Sequence, residues 1–142
     1  MLDALTAPYL FVRDLLRYLR WQILLWGGVL TAVHGIAPLF FLDRPTARLM
    51  LGGFVVAVLV MSAMHLRSGI TRLMGLAHLA WLPGMAAIVT ELARGSAHGA
   101  YRSWLGLAAL VGTICLAIDT SDVVRYLRGD RAAFAPPPGD VA

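Results

Sequence analysis

Four apolar runs constrain the fold of this chain more than any other feature. They cover residues 21–42, 49–66, 73–90 and 104–118, and short segments that carry arginine separate them. At about 1.5 Å of rise per residue, the first run gives a helix of about 33 Å, which suffices to cross a hydrocarbon core of about 30 Å. Because backbone groups cannot stay unpaired in lipid, we expect four spanning helices.

The composition favours the same prediction. Of the 142 residues, 59% are hydrophobic and 14% are charged, and the mean hydropathy is +0.74. One small soluble core could not bury that much apolar surface. The net charge of +4 comes from arginine, since no lysine occurs. The arginines lie between the apolar runs, a distribution typical of membrane topology and not of nucleic-acid binding.

We therefore predict an all-α membrane protein with a bundle of four transmembrane helices. The bundle covers residues 21–131, with spans at about 21–42, 47–66, 72–92 and 103–125. An amphipathic helix over residues 1–20 is expected on the membrane surface, with Phe11 and Leu15 facing lipid and Arg13 facing headgroups. A proline-rich tail over 132–142 is predicted to be disordered.

Arginine counts predict the orientation of the bundle. Eight of the twelve arginines lie in the N-terminal segment, in the turn after the second span and in the tail. Because positively charged segments stay in the cytoplasm, both termini are expected there. Small residues spaced four apart predict close packing between the helices. Examples are Gly27 with Thr31, Gly53 with Ala57, and Ala109 with Thr113 and Ala117.

Acidic and histidine side chains inside the spans are the candidate functional residues, because ionisable groups are costly at membrane depth. His78 lies six residues from Arg72 and Asp119 lies six residues from Arg125, so each is expected about 9 Å deep. The favoured interpretation is a structural ion-pair cluster at the inner ends of the helices. Its predicted members are Asp119, Asp122, Arg67, Arg72 and Arg125.

The alternative interpretation is a cofactor-binding site formed by His78, Asp119 and His65. A carboxylate paired with histidine suits a proton relay or a quinone site. Haem b is disfavoured, since helix rise places His34 about 21 Å from the inner boundary and His78 only about 9 Å from it. No metal site is predicted. The residues His65, His78, Asp119 and Asp122 are suitable ligand types, but the sequence contains no H-x-x-H or E-x-x-H spacing.

Two further polar positions have simpler interpretations. Cys115, the single cysteine, is interpreted as a small packed residue, because one thiol supports neither a disulfide nor a thiolate cluster. Glu91 is expected to pair with Arg94 three residues later. No nucleotide loop or serine–histidine–acid arrangement is present in the sequence, so enzymatic activity is not expected.

Two segments carry a resemblance to a known family. RLMGLAHLAWLPGM (residues 72–85) and IDTSDVVRYLRGDR (118–131) resemble a family of small, uncharacterised four-span proteins of bacterial inner membranes. The resemblance implies a bacterial inner-membrane setting and brings no activity with it. We expect a non-catalytic accessory or scaffold subunit that packs in a homo-oligomer or a larger membrane complex. The alternatives are a redox or proton-handling protein that uses quinone or haem and, less favoured, a small solute or ion carrier.

Overall fold

The computed structural model describes residues 2–138 and consists of five helices. They are α1 (Leu2–Tyr18), α2 (Trp21–Phe41), α3 (Pro45–Ser68), α4 (Arg72–Arg94) and α5 (Gly99–Leu127). Within these described residues there is no strand, and α2 to α5 are each long and apolar enough to cross a membrane. The prediction of an all-α chain with four candidate spans is confirmed.

Two of the spans change helix type along their length. In α2, an α-helix over Trp21–Leu30 is followed by a π-helix over Thr31–Ile36 and a 3-10 helix over Ala37–Phe41. In α4, a 3-10 helix over Arg72–Trp81 precedes an α-helix over Leu82–Arg94. Pro38 and Pro83 each lie in the first turn of a new segment. Because a proline lacks the backbone donor that would continue the hydrogen-bond pattern of the preceding segment, the helix type changes at these positions.

The 3-10 helix in α4 aligns residues that are three apart. A 3-10 helix has three residues per turn, so side chains at i and i+3 eclipse one another. Arg72, Gly75, His78 and Trp81 therefore form one row along α4. We call these four residues the α4 row. Three of them face α5, where Arg72 and His78 bond to carboxylates and Gly75 lies against Asp119.

Glycine allows close helix packing in the core of the bundle. A Cβ atom at Gly53 would lie 2.6 Å from the carbonyl oxygen of Ala80, and one at Gly84 would lie 3.1 Å from the Cα of Met50. These two contacts hold α3 against α4, as small residues do in membrane bundles.

The inward face of α5 differs from the sequence prediction. Ala108, Gly112 and Cys115 are buried, whereas Thr113 and Ala117 are exposed. The buried residues continue a stripe that begins at Trp104, whose indole nitrogen donates to the carbonyl of Val33. The aromatic residues therefore set the rotation of α5, and the predicted small-residue stripe lies outside.

The N-terminal helix packs on the bundle more closely than a helix lying on a membrane surface would. Phe11 is buried against Ile70 and Met74, and Leu15 packs at the edge of the same cluster. The prediction that Phe11 faces lipid is wrong, because the α3–α4 turn offers it an apolar surface, and Leu15 is half-buried beside it. Asp14 lies three residues after Phe11 and is buried on the same side of α1.

Part of the tail also packs against the α3–α4 turn. The amide of Phe134 donates to the carbonyl of Ile70 at 2.7 Å, and the amide of Ile70 donates to the carbonyl of Ala135 at 2.9 Å. Gly69, with φ of +69°, makes room here, because a Cβ atom would collide with the carbonyl of Ala135. The structure thus gives residues 134 and 135 fixed partners where disorder is predicted. Residues 139–142 lie outside the described residues.

Candidate functional site

His78 and Asp119 form a hydrogen-bonded pair between α4 and α5. The Nδ1 atom of His78 lies 2.7 Å from Oδ2 of Asp119. An ionised carboxylate only accepts, so Nδ1–H is the donor in this pair. The two side chains are 12% and 16% exposed. Gly75 makes the approach possible, since a Cβ atom there would lie 2.8 Å from Cβ of Asp119.

Cys115 belongs to the same cluster, and the sequence interpretation missed it. Its thiol donates to Oδ2 of Asp119 at 3.3 Å, and its Sγ atom lies 3.6 Å from Nδ1 of His78. Residues four apart share one face of an α-helix, so the spacing of Cys115 and Asp119 was the available signal. We call His78, Cys115 and Asp119 the α4–α5 cluster. Nitrogen, sulfur and oxygen ligand atoms meet in it.

Arginine and aspartate side chains form an ion-pair network next to this cluster. Arg72 donates to Asp122 at 2.7 Å and to Asp130 at 3.0 Å, and Arg125 donates to Asp130 at 3.0 Å. The guanidinium of Arg72 also lies over the ring of Phe134, 4.9 Å from its centroid. The network ties the start of α4 to the end of α5 and to the tail.

The members of this network differ from the predicted ion-pair cluster in three respects. Asp130 takes part, although it was not among the predicted residues. Arg67 is exposed and makes no ion pair within residues 2–138. Asp119 bonds to His78 and Cys115 and pairs with no arginine among the described residues. The α4 row explains the last point, because it presents arginine to Asp122 and imidazole to Asp119.

His65 does not join His78 and instead pairs with Asp14 of α1. Its Nε2 atom lies 3.0 Å from Oδ2 of Asp14, while Nε of Arg13 donates to Oδ1 of the same carboxylate at 2.7 Å. The His65 and Asp14 side chains are only 0% and 4% exposed. The hydrogen bond from Arg13, helped by that from His65, holds the pKa of Asp14 below its ordinary value.

Asp14 was missed because the arginines of residues 1–20 predict a helix at the headgroups. The available signal was the spacing of Ala7, Phe11 and Asp14, which places them on one side of a helix. All three are buried in the structure. A carboxylate on the apolar side of an amphipathic helix needs partners, and Arg13 and His65 are those of Asp14.

His34 lies close to the α4–α5 cluster. The helix rise between Arg20 and His34 predicts a larger separation from His78. The ring of Trp81 stacks on His34 at 4.5 Å and contacts His78 at 4.3 Å, centroid to centroid. The two histidine rings therefore contact the same indole, and their separation is smaller than the difference of depth inferred from helix rise. Because a 3-10 helix rises about 2 Å per residue, Trp81 lies about 18 Å from Arg72, near the depth of His34.

Haem fits this arrangement poorly. His34 is wholly buried, its ring lies flat on Trp81, and its Nε2 atom is 3.3 Å from the carbonyl oxygen of Ala108. A Cβ atom at Gly112 would lie 3.2 Å from Nε2 of His34 and 2.6 Å from Sδ of Met85. Iron ligation by His34 would require this closely packed core to be rebuilt.

At the opposite end of the bundle, Glu91 lies in a separate network. Its Oε2 atom accepts from the hydroxyls of Thr46 at 2.8 Å and Tyr101 at 2.7 Å. The expected pair with Arg94 is wrong, since Glu91 makes no ion pair among the described residues and its Oε2 atom bonds to hydroxyls from α3 and α5 instead. Two neutral donors holding one carboxylate between three helices indicate a structural role.

A groove between α4 and α5 leads to the α4–α5 cluster. Asp119 lines it together with Gly75 and Thr120, and the rest of the lining is apolar: Leu76, Leu79, Leu116, Val123 and Val124. In a bilayer such a groove opens towards lipid, so a small ligand could reach Asp119 from the side. Comparisons of this chain with protein-family models, with curated proteins and with solved structures found no match.

Proposed function

We propose that this chain is a non-catalytic integral membrane protein that serves as an accessory or scaffold subunit. It packs with copies of itself or within a larger complex of a bacterial inner membrane, with both termini in the cytoplasm. The observation that carries this proposal is a small-residue face of α5 that the bundle leaves uncovered. Gly106, Thr113 and Ala117 lie on it and are exposed, and Ala109 beside them is half-buried.

Small uncovered residues matter more in lipid than in water. Lipid tails are as apolar as leucine, so helices associate where small side chains let their backbones come close. A Cβ atom at Gly106 would meet nothing within 4 Å, whereas one at Gly112, on the inward face, would lie 2.6 Å from Met85. The α5 surface around Gly106 therefore has room for a further helix.

A second span also presents small residues outwards. Gly28 and Thr31 of α2 are exposed, and a Cβ atom at Gly27 or Gly28 would meet nothing within 4 Å. The hydroxyl of Thr31 donates a hydrogen bond to the carbonyl of Gly27 at 2.8 Å, so this hydroxyl is not an unpaired donor on the exposed face. Two such faces suit a subunit that has neighbours on more than one side.

The test is self-association in lipid vesicles, measured by energy transfer between labelled copies. Gly106→Leu should lower association by about tenfold, since about 1.4 kcal/mol of lost packing is a factor of ten. Gly52→Leu is the matched control, because Gly52 of α3 is equally open but has Leu49, Val55 and Val56 beside it. A wild-type chain that stays monomeric and copurifies with no membrane protein would contradict the proposal.

A second candidate function is quinone binding with proton transfer at the α4–α5 cluster. The 2.7 Å bond between His78 and Asp119, at the end of an apolar groove, favours it. In this function Asp119 accepts a hydrogen bond from a quinol hydroxyl, and it takes the proton when an electron acceptor of the membrane oxidises the quinol, while His78 fixes the carboxylate. Asp119→Asn should then abolish quinone binding and lower the free energy of unfolding by only about 1 kcal/mol. Loss of stability without any measurable quinone binding in the wild type would exclude this candidate.

A further inference from the structure

We propose that the α4–α5 cluster binds a divalent transition-metal ion of the zinc class inside the membrane-spanning bundle. The ligands are Nδ1 of His78, Sγ of Cys115 and a carboxylate oxygen of Asp119. These atoms lie within 4.8 Å of one another. The inference does not depend on the accessory role, because it concerns the interior of the bundle and not its outer faces.

The donor set selects the class of ion. Imidazole nitrogen, thiolate sulfur and carboxylate oxygen are the three ligand types that zinc takes from proteins. Calcium and magnesium prefer sites made of oxygen alone, so the sulfur and nitrogen here disfavour them. A site with one thiolate and one imidazole suits borderline ions such as Zn²⁺ or Co²⁺.

The distances between the ligand atoms are close to those of a tetrahedral centre. With bonds of about 2.0–2.3 Å, the edges of such a centre are about 3.3–3.6 Å long. Sγ of Cys115 lies 3.6 Å from Nδ1 of His78 and 3.3 Å from Oδ2 of Asp119. The third edge, at 2.7 Å, is the hydrogen bond between His78 and Asp119. It would lengthen by about 0.6 Å when an ion replaces its proton.

Charge balance favours such an ion at this depth. Binding removes the thiol proton of Cys115 to water, and the Nδ1 proton of His78 shifts to Nε2 as the ring changes tautomer. One thiolate and one carboxylate then neutralise a divalent ion, and the imidazole stays neutral. The loaded site carries no net charge, which lowers the cost of holding an ion among apolar helices.

The surroundings of the cluster fix its ligands and leave one side accessible. Trp81 packs on the ring of His78, and Gly75 lets the backbone of α5 bring Asp119 close. Three protein ligands are the number found in zinc sites that keep a fourth position for water or another ligand. The groove lined by Asp119, Leu116 and Thr120 provides the route to that position.

Titration with Co²⁺ of the full-length protein in nanodiscs, under reducing conditions, tests the site directly. We expect one equivalent of Co²⁺ to give the near-ultraviolet charge-transfer band of a cobalt thiolate, and Zn²⁺ to remove that band. Cys115→Ser should abolish the band, and Asp119→Asn should weaken binding at least about tenfold. His98→Ala is the control, because His98 is an exposed loop histidine, and it should change neither.

A second measurement covers the case in which Cys115→Ser does not fold. Cys115 is the only cysteine of the chain, so a thiol-reactive maleimide reports on it alone in the wild-type protein. Zn²⁺ should slow its alkylation at least about tenfold in the wild type, and Asp119→Asn should need at least about tenfold more Zn²⁺ for the same protection. Absence of Co²⁺ binding, a spectrum without the thiolate band, or alkylation that Zn²⁺ does not slow would each overturn the proposal.

Discussion

The two histidine–aspartate pairs of this protein have similar chemistry and different surroundings. His65 and Asp14 join α1 to α3, and the pair is sealed, with side chains 0% and 4% exposed. His78 and Asp119 join α4 to α5 and are 12% and 16% exposed. Arg13 neutralises the carboxylate of the first pair, whereas the second has the thiol of Cys115 beside it.

This difference separates a structural contact from a candidate site. A buried carboxylate with a cation and an imidazole is satisfied, and it has no room for a ligand. In the pair of His78 and Asp119, the carboxylate lines a groove, the thiol of Cys115 lies beside it, and Gly75 allows the close approach of α4 and α5. Removing either partner should therefore cost mainly stability at the sealed pair and mainly ligand binding at the open one.

The largest expected effect is at the sealed pair. Asp14→Ala should lower the free energy of unfolding by about 3 kcal/mol, because it leaves His65 buried without its partner. Release of α1 should appear as faster proteolysis at Arg13 and Arg17. Thermal unfolding in detergent measures the stability. Asp43→Ala is the control, since Asp43 is 72% exposed and should change stability by less than about 0.5 kcal/mol.

Gly75 tests the close approach of α4 to α5. Gly75→Ala should cost about 2 kcal/mol of unfolding free energy, because the new Cβ overlaps Asp119 and forces the helices apart. Gly52→Ala, at a position with open space, should be neutral or stabilising by about 0.5 kcal/mol through helix propensity. Equal effects of the two substitutions would contradict the packing described for the α4 row.

At the open pair, a smaller stability effect is expected. Asp119→Asn should lower the free energy of unfolding by about 1 kcal/mol, because it weakens charge-assisted hydrogen bonds that are partly accessible to their surroundings. It should also weaken Co²⁺ binding at least about tenfold, measured by absorbance. If Asp119→Asn lowered the stability as much as Asp14→Ala, the two pairs would be equivalent and the proposed difference between them would be contradicted.

The smallest effect is expected from acidification of the sealed pair. The folded pKa of Asp14 lies below its ordinary value of 3.8, so its charge stabilises docking of α1 above about pH 3.8 and the contribution fades as pH falls through the folded pKa. A protonated Asp14 can still hydrogen-bond, which keeps the change small. The stability difference between wild type and Asp14→Asn should therefore shrink below pH 3.8. A difference that grows in that range would refute the assignment.

Hydropathy predicts the number of spans, because each apolar run must pair its own backbone groups in lipid. It does not distinguish an α-helix from a 3-10 helix, so the α4 row was not predicted. A period of three is nevertheless visible in RLMGLAHLAW, where leucine recurs at Leu73, Leu76 and Leu79 and the α4 row lies beside it. Pro38 predicts an interruption of the helix near this position, but it does not predict that the interruption takes the form of π and 3-10 segments after Leu30.

The candidate site was predictable only in part. Depth counting identifies His78 and Asp119 as neighbours, and the structure brings them within 2.7 Å. It cannot assign partners across helices, because partner choice depends on the rotation of each helix about its own axis. That rotation buries Cys115 in the bundle and exposes Thr113. The docking of α1 brings Asp14 into hydrogen-bond contact with His65.

Double-mutant cycles on the two pairs test the distinction between them most directly. His65→Ala with Asp14→Ala, and His78→Ala with Asp119→Ala, would be measured by unfolding in metal-free detergent solution. We predict a coupling free energy of about 2 kcal/mol for the sealed pair and less than about 1 kcal/mol for the open pair. The distinction between the two pairs would be contradicted by zero coupling between His65 and Asp14, or by stronger coupling between His78 and Asp119.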